Sequence, residues 1–289
     1  MKIDIEKIKA KKSINELLEF SIINIDKPAG PASFYVSQFV KKALNLRKTS
    51  HLGTLDPAVS GVLPVALSRA CRLNDYFMHR NKTYAGIMRI HRDISDEKLG
   101  NTVKKYTGKI MQLPPVKSRV KRAVREREVK SFEIIEREGN DVLFVAEVQA
   151  GTYIRKLCDD IGKEIGGAHM LELRRIKAGI FSEEHSINLY SFEKAAGEFA
   201  KGNEKPLREI LIPGEIVSSI LPVVLIKSEF VKLALRGSPI HNNFIEECQN
   251  LGSIKENEKI CIFSDERFIG CYRAVCGSKI FAVPEFVLN

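Results

Sequence analysis

The rhythm of apolar and polar positions changes several times along the chain. Residues 14–20 (INELLEF) and 33–46 (SFYVSQFVKKALNL) place apolar side chains at helical spacing, which predicts two helices. The stretch 82–95 (KTYAGIMRIHRDIS) alternates and predicts a strand. In 95–110 (SDEKLGNTVKKYTGKI), Ser95 stands as an N-cap before two acids, which predicts a helix. Residues 131–155 (SFEIIEREGNDVLFVAEVQAGTYIR) predict two strands around a Gly-Asn turn, and 155–167 (RKLCDDIGKEIGG) a helix closed by glycines. The elements mix without a regular βαβ order. The predicted class is α+β, with a central, mainly antiparallel sheet flanked by helices.

The pattern shifts again near residues 201–216 (KGNEKPLREILIPGEI), which reads as a boundary. From Pro222 onward the chain carries short β-like runs, VVLI, KICIF, RFIGCYRAV and KIFAV, the pattern of a small β-barrel or sandwich. Three parts are expected: an N-terminal arm over 1–20, a main domain over 21–214 and a small β-domain over 215–289.

Composition sharpens this. The chain has 289 residues, 44% of them apolar, enough for a large core, and a net charge of +10. From Pro222 to the end, eight basic residues balance eight acidic ones, so the whole surplus lies upstream. Such a surplus favours a polyanionic partner, nucleic acid before an anionic membrane surface. No stretch is apolar enough to span a bilayer, and the charged N-terminus lacks the apolar core of a signal peptide. Cys71, Cys158, Cys248, Cys261, Cys271 and Cys276 form no C-x-x-C pair and no zinc-finger spacing. Free thiols in a reducing cytoplasm and no metal site are expected.

One stretch fits no simple period. Ser50–Leu73, SHLGTLDPAVSGVLPVALSRACRL, holds a single acid, Asp56, between glycines and apolar residues. Asp before Pro commonly opens a turn, and that reading stands beside a functional one. A lone carboxylate in an apolar setting needs compensation, and Arg155, in the similar setting AGTYIRKLCDDIG, is a candidate partner. Lys82 and Tyr84 share a strand face, and Lys82 is a candidate phosphate contact. From Lys117 to Lys130, KSRVKRAVREREVK packs seven basic residues against two acids, either a solvated ribbon or an RNA-backbone contact.

The segment GTLDPAVSGVLPVALSRA resembles the signature of the TruB/dyskerin family of pseudouridine synthases. INIDKPAGPAS, KTYAGIMRIH, LPPVKSRVKR, AGTYIRKLCDDIG and GGAHMLELRRIKAG follow the family order, and their wording is similar to its archaeal, dyskerin-type branch. The likeness runs from Ser21 to Phe181, and the tail more faintly resembles a PUA domain. Leu52 stands where a small residue is usual and Arg119 where alanine is common.

The resemblance implies a pseudouridine synthase fold and an RNA isomerase without cofactor. It makes Asp56 the nucleophile, Arg155 its partner and Tyr84 the ring that stacks on the target base. It gives His51 a hold on the flipped nucleotide, and Leu171 and Leu173 the apolar wall of the uracil pocket. Lys27 and Pro28 would support the site's loops. Arg119, Lys121, Arg122, Arg174, Arg175 and Lys177 would contact RNA. Guide RNA, rRNA and tRNA are the implied partners, with three H/ACA accessory proteins: a zinc-binding type, a β-barrel regulator and a kink-turn binder. Neither DNA nor membrane is implied. The alternative is a non-catalytic RNA-binding scaffold, which loss of Asp56, Tyr84 or Arg155 would have signalled; all three are present.

Overall fold

The computed structural model describes residues 3–114, 121–248, 254–275, 277 and 279–289. Among them, the main sheet uses β1 (Ser21–Lys27), β2 (Thr49–His51), β3 (Ser60–Leu67), β4 (Lys82–Ile90), β5 (Gly108–Gln112), β6 (Arg125–Glu138), β7 (Asp141–Val148), β8 (Ala168–Ala178), β9 (Phe181–Ser182), β10 (Ile187–Asn188) and β11 (Ile212–Pro213). Its order is β10-β1-β3-β8-β4-β7-β6-β5, with β11 on β1, β2 on β3 and β9 on β8. The ladders are antiparallel except β1–β10 and β3–β8. A second sheet uses β12 (Val223–Ile226), β13 (Ile240–His241), β14 (Ile245–Cys248), β15 (Lys259–Ser264), β16 (Arg267–Ala274) and β17 (Ile280–Val287), in the order β13-β17-β16-β15-β12-β14.

The first six helices are α1 (Ile5–Lys11), α2 (Ile14–Glu19), α3 (Ser33–Ala43), α4 (Asn74–Met78), α5 (Asp96–Lys105) and α6 (Ile154–Ile165). Ser95 caps α5, its Oγ accepting from Lys98 N at 3.3 Å, and Gly166, at φ +89°, closes α6. Alternation along β4 and β7 turns Met88, Ile90, Val142, Phe144, Ala146 and Val148 into the same core as Leu157, Cys158 and Ile161 of α6.

The expected boundary is no free linker. Its KPLREI forms a helix, Lys205–Ile210, and Ile212–Pro213 joins the main sheet as β11, pairing Ser21 with Pro213. The second sheet has its own core, with Val224, Ile226, Ile260, Ile262, Ile269 and Phe281. A separate cluster knits it to the rest: Phe20, ending the N-terminal arm, stacks on Phe268 at 5.4 Å beside Phe286. No helix among the described residues is long and apolar enough to cross a membrane.

Candidate active site

Asp56 sits in the loop between β2 and β3, and its neighbours explain why the sequence there is apolar. Leu52, Leu55 and Val59 are buried. Leu55 N donates to Ser33 Oγ at 2.8 Å, and that hydroxyl donates to Leu55 O at 2.9 Å. On the other side of Asp56, the carbonyl of Pro57 accepts from Gly30 N at 2.8 Å and from Lys27 Nζ at 3.0 Å. Lys27 is fully buried and also donates to Pro28 O and Pro31 O. Burial lowers its pKa, while the charge of Asp56 works in the opposite direction. The backbone is thus pinned on both sides of Asp56, whose own side chain is 55% exposed.

The carboxylate meets Arg155, on the first turn of α6, in an ion pair. The start of α6 is fixed by Gln112, a residue sequence reasoning missed. Its buried side chain accepts from Tyr153 N at 3.0 Å and donates to Tyr153 O at 3.2 Å. The only sequence signal was an amide ending an alternating strand just before LPPVK. Gly162 lets α6 lie against β8: a Cβ there would fall 2.3 Å from Ala168 N.

Tyr84 pairs with Arg175 across the β4–β8 ladder, beside a bulge. The Arg175 side chain is 1% exposed. Its Nε donates to Val62 O at 2.8 Å and its Nη2 to Gly53 O at 3.0 Å, so it clamps the Asp56 loop from below. Burial lowers its pKa, and the Tyr84 hydroxyl opposes that shift. The clamp needs close backbones: a Cβ on Gly61, at φ +102°, would lie 2.2 Å from Arg175 O. The expected RNA contact at Arg175 is therefore corrected to an internal clamp. Lys82 is corrected likewise: it is buried, and its ammonium donates to the carbonyls of Met78 and Arg80. Burial, together with the charge of Arg175, pushes its pKa down to about 8.

Arg174 is half-exposed and already paired, with Asp26 at 2.9 and 3.0 Å and with Glu183 at 2.8 Å. Leu171, expected in a pocket wall, is 41% exposed, whereas Leu173 is buried and packs against Gly86, two residues beyond Tyr84. His51 pairs with Thr54 Oγ1 at 3.2 Å, and burial plus Arg175 lower its pKa, favouring the neutral ring. Lys121 and Arg122 are exposed and lead into β6; Lys177 is exposed on β8; Arg119 lies outside the described residues. The site therefore brings together Asp56, Arg155 and the Tyr84–Arg175 pair, and the buried cations hold backbone.

Two family profiles match, the TruB family pseudouridylate synthase N-terminal domain over 41–154 and the tRNA pseudouridylate synthase B C-terminal domain over 155–218. A probable tRNA pseudouridine synthase B of Methanocaldococcus jannaschii is 42% identical over 80% of this chain and 69% of its own length. That of Archaeoglobus fulgidus is 39% identical over 88% and 78%. Among solved structures, one of a Cbf5-Nop10-Gar1 complex superposes with a TM-score of 0.89 at 37% identity, covering 96% of this chain and 88% of that one. One of an H/ACA RNP bound to a substrate RNA containing 2'-deoxyuridine gives 0.88 at 35%, covering 97% and 89%. The chain belongs to the TruB family of pseudouridine synthases, isomerases that act on RNA.

Proposed function

We propose that this enzyme is the catalytic subunit of an H/ACA guide-RNA ribonucleoprotein acting on rRNA, and that it also acts alone on the T-loop uridine of tRNA. The reading works with guide RNA and with accessory proteins such as the Nop10 and Gar1 of the similar complex, in the cytoplasm. The arm over 1–20 and the β-domain over 215–289 serve as docking parts around a catalytic domain over 21–214. Pseudouridine formation breaks the bond from uracil N1 to the ribose and joins C5 to the same carbon. C5 gives up a proton and N1 gains one, so nothing is added and no electron is transferred overall. A carboxylate able to attack or to stabilise positive charge at the sugar is the main requirement.

In this proposal Asp56 is that group, Arg155 holds it aimed, and Tyr84 stacks on the base that has left its RNA helix. The observation that carries the reading is an exposed carboxylate, paired to Arg155, on a loop held rigid by buried backbone contacts. The test is tritium release from tRNA and rRNA labelled with [5-³H]uridine, with and without total small RNA. Release from tRNA without small RNA, and from rRNA only with it, is expected. No release under either condition favours a non-catalytic scaffold.

A further inference from the structure

Resting on the assignment of Asp56 as the reacting carboxylate, we propose that Phe34 and Tyr35 form a stacking platform for an unpaired RNA base next to the target uridine. Phe34 is 59% and Tyr35 67% exposed, and their rings meet edge to face at 5.8 Å. α3 buries Ser33, Val36, Ser37 and Val40 on its other side, so neither ring serves the core. Most of the chain's aromatic side chains are at least half-buried, and large rings left in water commonly mark a contact.

Their position supplies the occupant. Ser33, one peptide link before Phe34, brackets both backbone groups of Leu55, one link before Asp56. Gly30, four residues before Phe34, donates to Pro57 O, one link after Asp56. The two rings thus grow from the segment that braces the reacting loop. When a uridine leaves the stack, its neighbours lose a π-face, and an aromatic ring restores it whatever the base. The surroundings suit a polyanion: residues 28–55 contain no acid and carry Lys41, Lys42, Arg47 and Lys48, the last three exposed. An acidic protein partner would match that charge, but it would not need two bare rings at the start of the helix that braces the reacting loop.

The test uses the full chain and a T-arm hairpin of tRNA with 2-aminopurine, or an abasic site, on the 5′ or the 3′ side of the target uridine. The wild type is expected to quench the 2-aminopurine at one of these positions. The Phe34→Leu/Tyr35→Leu variant, which keeps apolar bulk without rings, is expected not to quench it. It should also bind that RNA about 5- to 150-fold more weakly, the range of one base–aromatic stack. With the abasic RNA the two proteins should bind alike. Equal quenching by both proteins at both positions overturns the proposal, as does an equal affinity loss with the abasic RNA. Neither readout requires turnover, so a failure of the Asp56 assignment shows separately, in the tritium assay.

Discussion

Arg155 and Asp56, 99 residues apart in sequence, close an ion pair in which each side chain stays about half exposed, 48% and 55%. An open pair of this kind adds little to folding stability. Arg155→Ala should therefore lower turnover by about 10²-fold or more through misplacement of the carboxylate. The melting temperature should fall by no more than about 3 °C. A large drop in melting temperature with proportionate loss of soluble protein would make Arg155 a structural residue instead.

Tyr84 tests whether stacking or the hydroxyl matters. Its ring packs beside the main core, and its hydroxyl acts on Arg175. Tyr84→Leu removes stacking worth roughly 1–3 kcal/mol and should weaken RNA binding more than Tyr84→Phe does. If Tyr84→Phe instead cleaves the glycosidic bond but stalls before product release, the hydroxyl takes the final proton. Equal, mild effects of both variants would place Tyr84 outside the reaction.

Lys82 gives a pH dependence with a defined sign. Its folded pKa, about 8, lies below the ordinary 10.5. Between those values the unfolded chain holds the proton and the folded chain does not, so stability rises with pH across that window. For this group the rise amounts to about 3 kcal/mol in total. Below it both states are protonated and the contribution is flat. Denaturant melts of wild type and Lys82→Met at about pH 7.5 and about pH 10 should show the wild type gaining on the variant as pH rises. A difference independent of pH would contradict the burial of a titrating Lys82.

The small β-domain is tied to the rest by an apolar cluster, with Lys7 and Lys11 paired to Glu266 beside it. Phe268 is buried against Phe20, Phe263 and Phe286. Phe268→Ala should cost about 3–5 kcal/mol, read as a fall in melting temperature of the whole chain. For the same reason, deletion after Gly214 would strip the cover from Phe20 and Ile22, so point substitutions probe this domain better than truncation. A cost below about 1 kcal/mol would mean that the shared cluster is loosely packed.

Much of this was legible beforehand. Helical spacing in SFYVSQFVKKALNL, the Ser95 cap and the glycines after Ile165 report local chemistry, and the structure follows them. The similar apolar settings of Asp56 and Arg155 made them a candidate pair, but their meeting was not legible in the residues, because no local pattern encodes a contact across 99 residues. Arg174 and Arg175 read alike in HMLELRR, yet strand alternation sends one to Asp26 and Glu183 and the other to the carbonyls beneath the loop. Lys82 misled for a different reason: a cation on a strand reads as surface, whereas here the ammonium folds back onto the carbonyls of Arg80 and Met78, two and four residues upstream, and is buried there. Gln112 was hidden because its partner, the Tyr153 backbone, carries no sequence signature.

The most direct measurement compares Asp56→Asn with the wild type in tritium release from [5-³H]uridine-labelled RNA, alongside gel-shift affinity for the same RNA. The amide keeps the shape of the side chain and loses its charge and nucleophilicity. Turnover should fall by about 10⁴-fold or more, with affinity within a few-fold of wild type. Substantial residual release by Asp56→Asn would contradict the assignment of Asp56 as the reacting carboxylate.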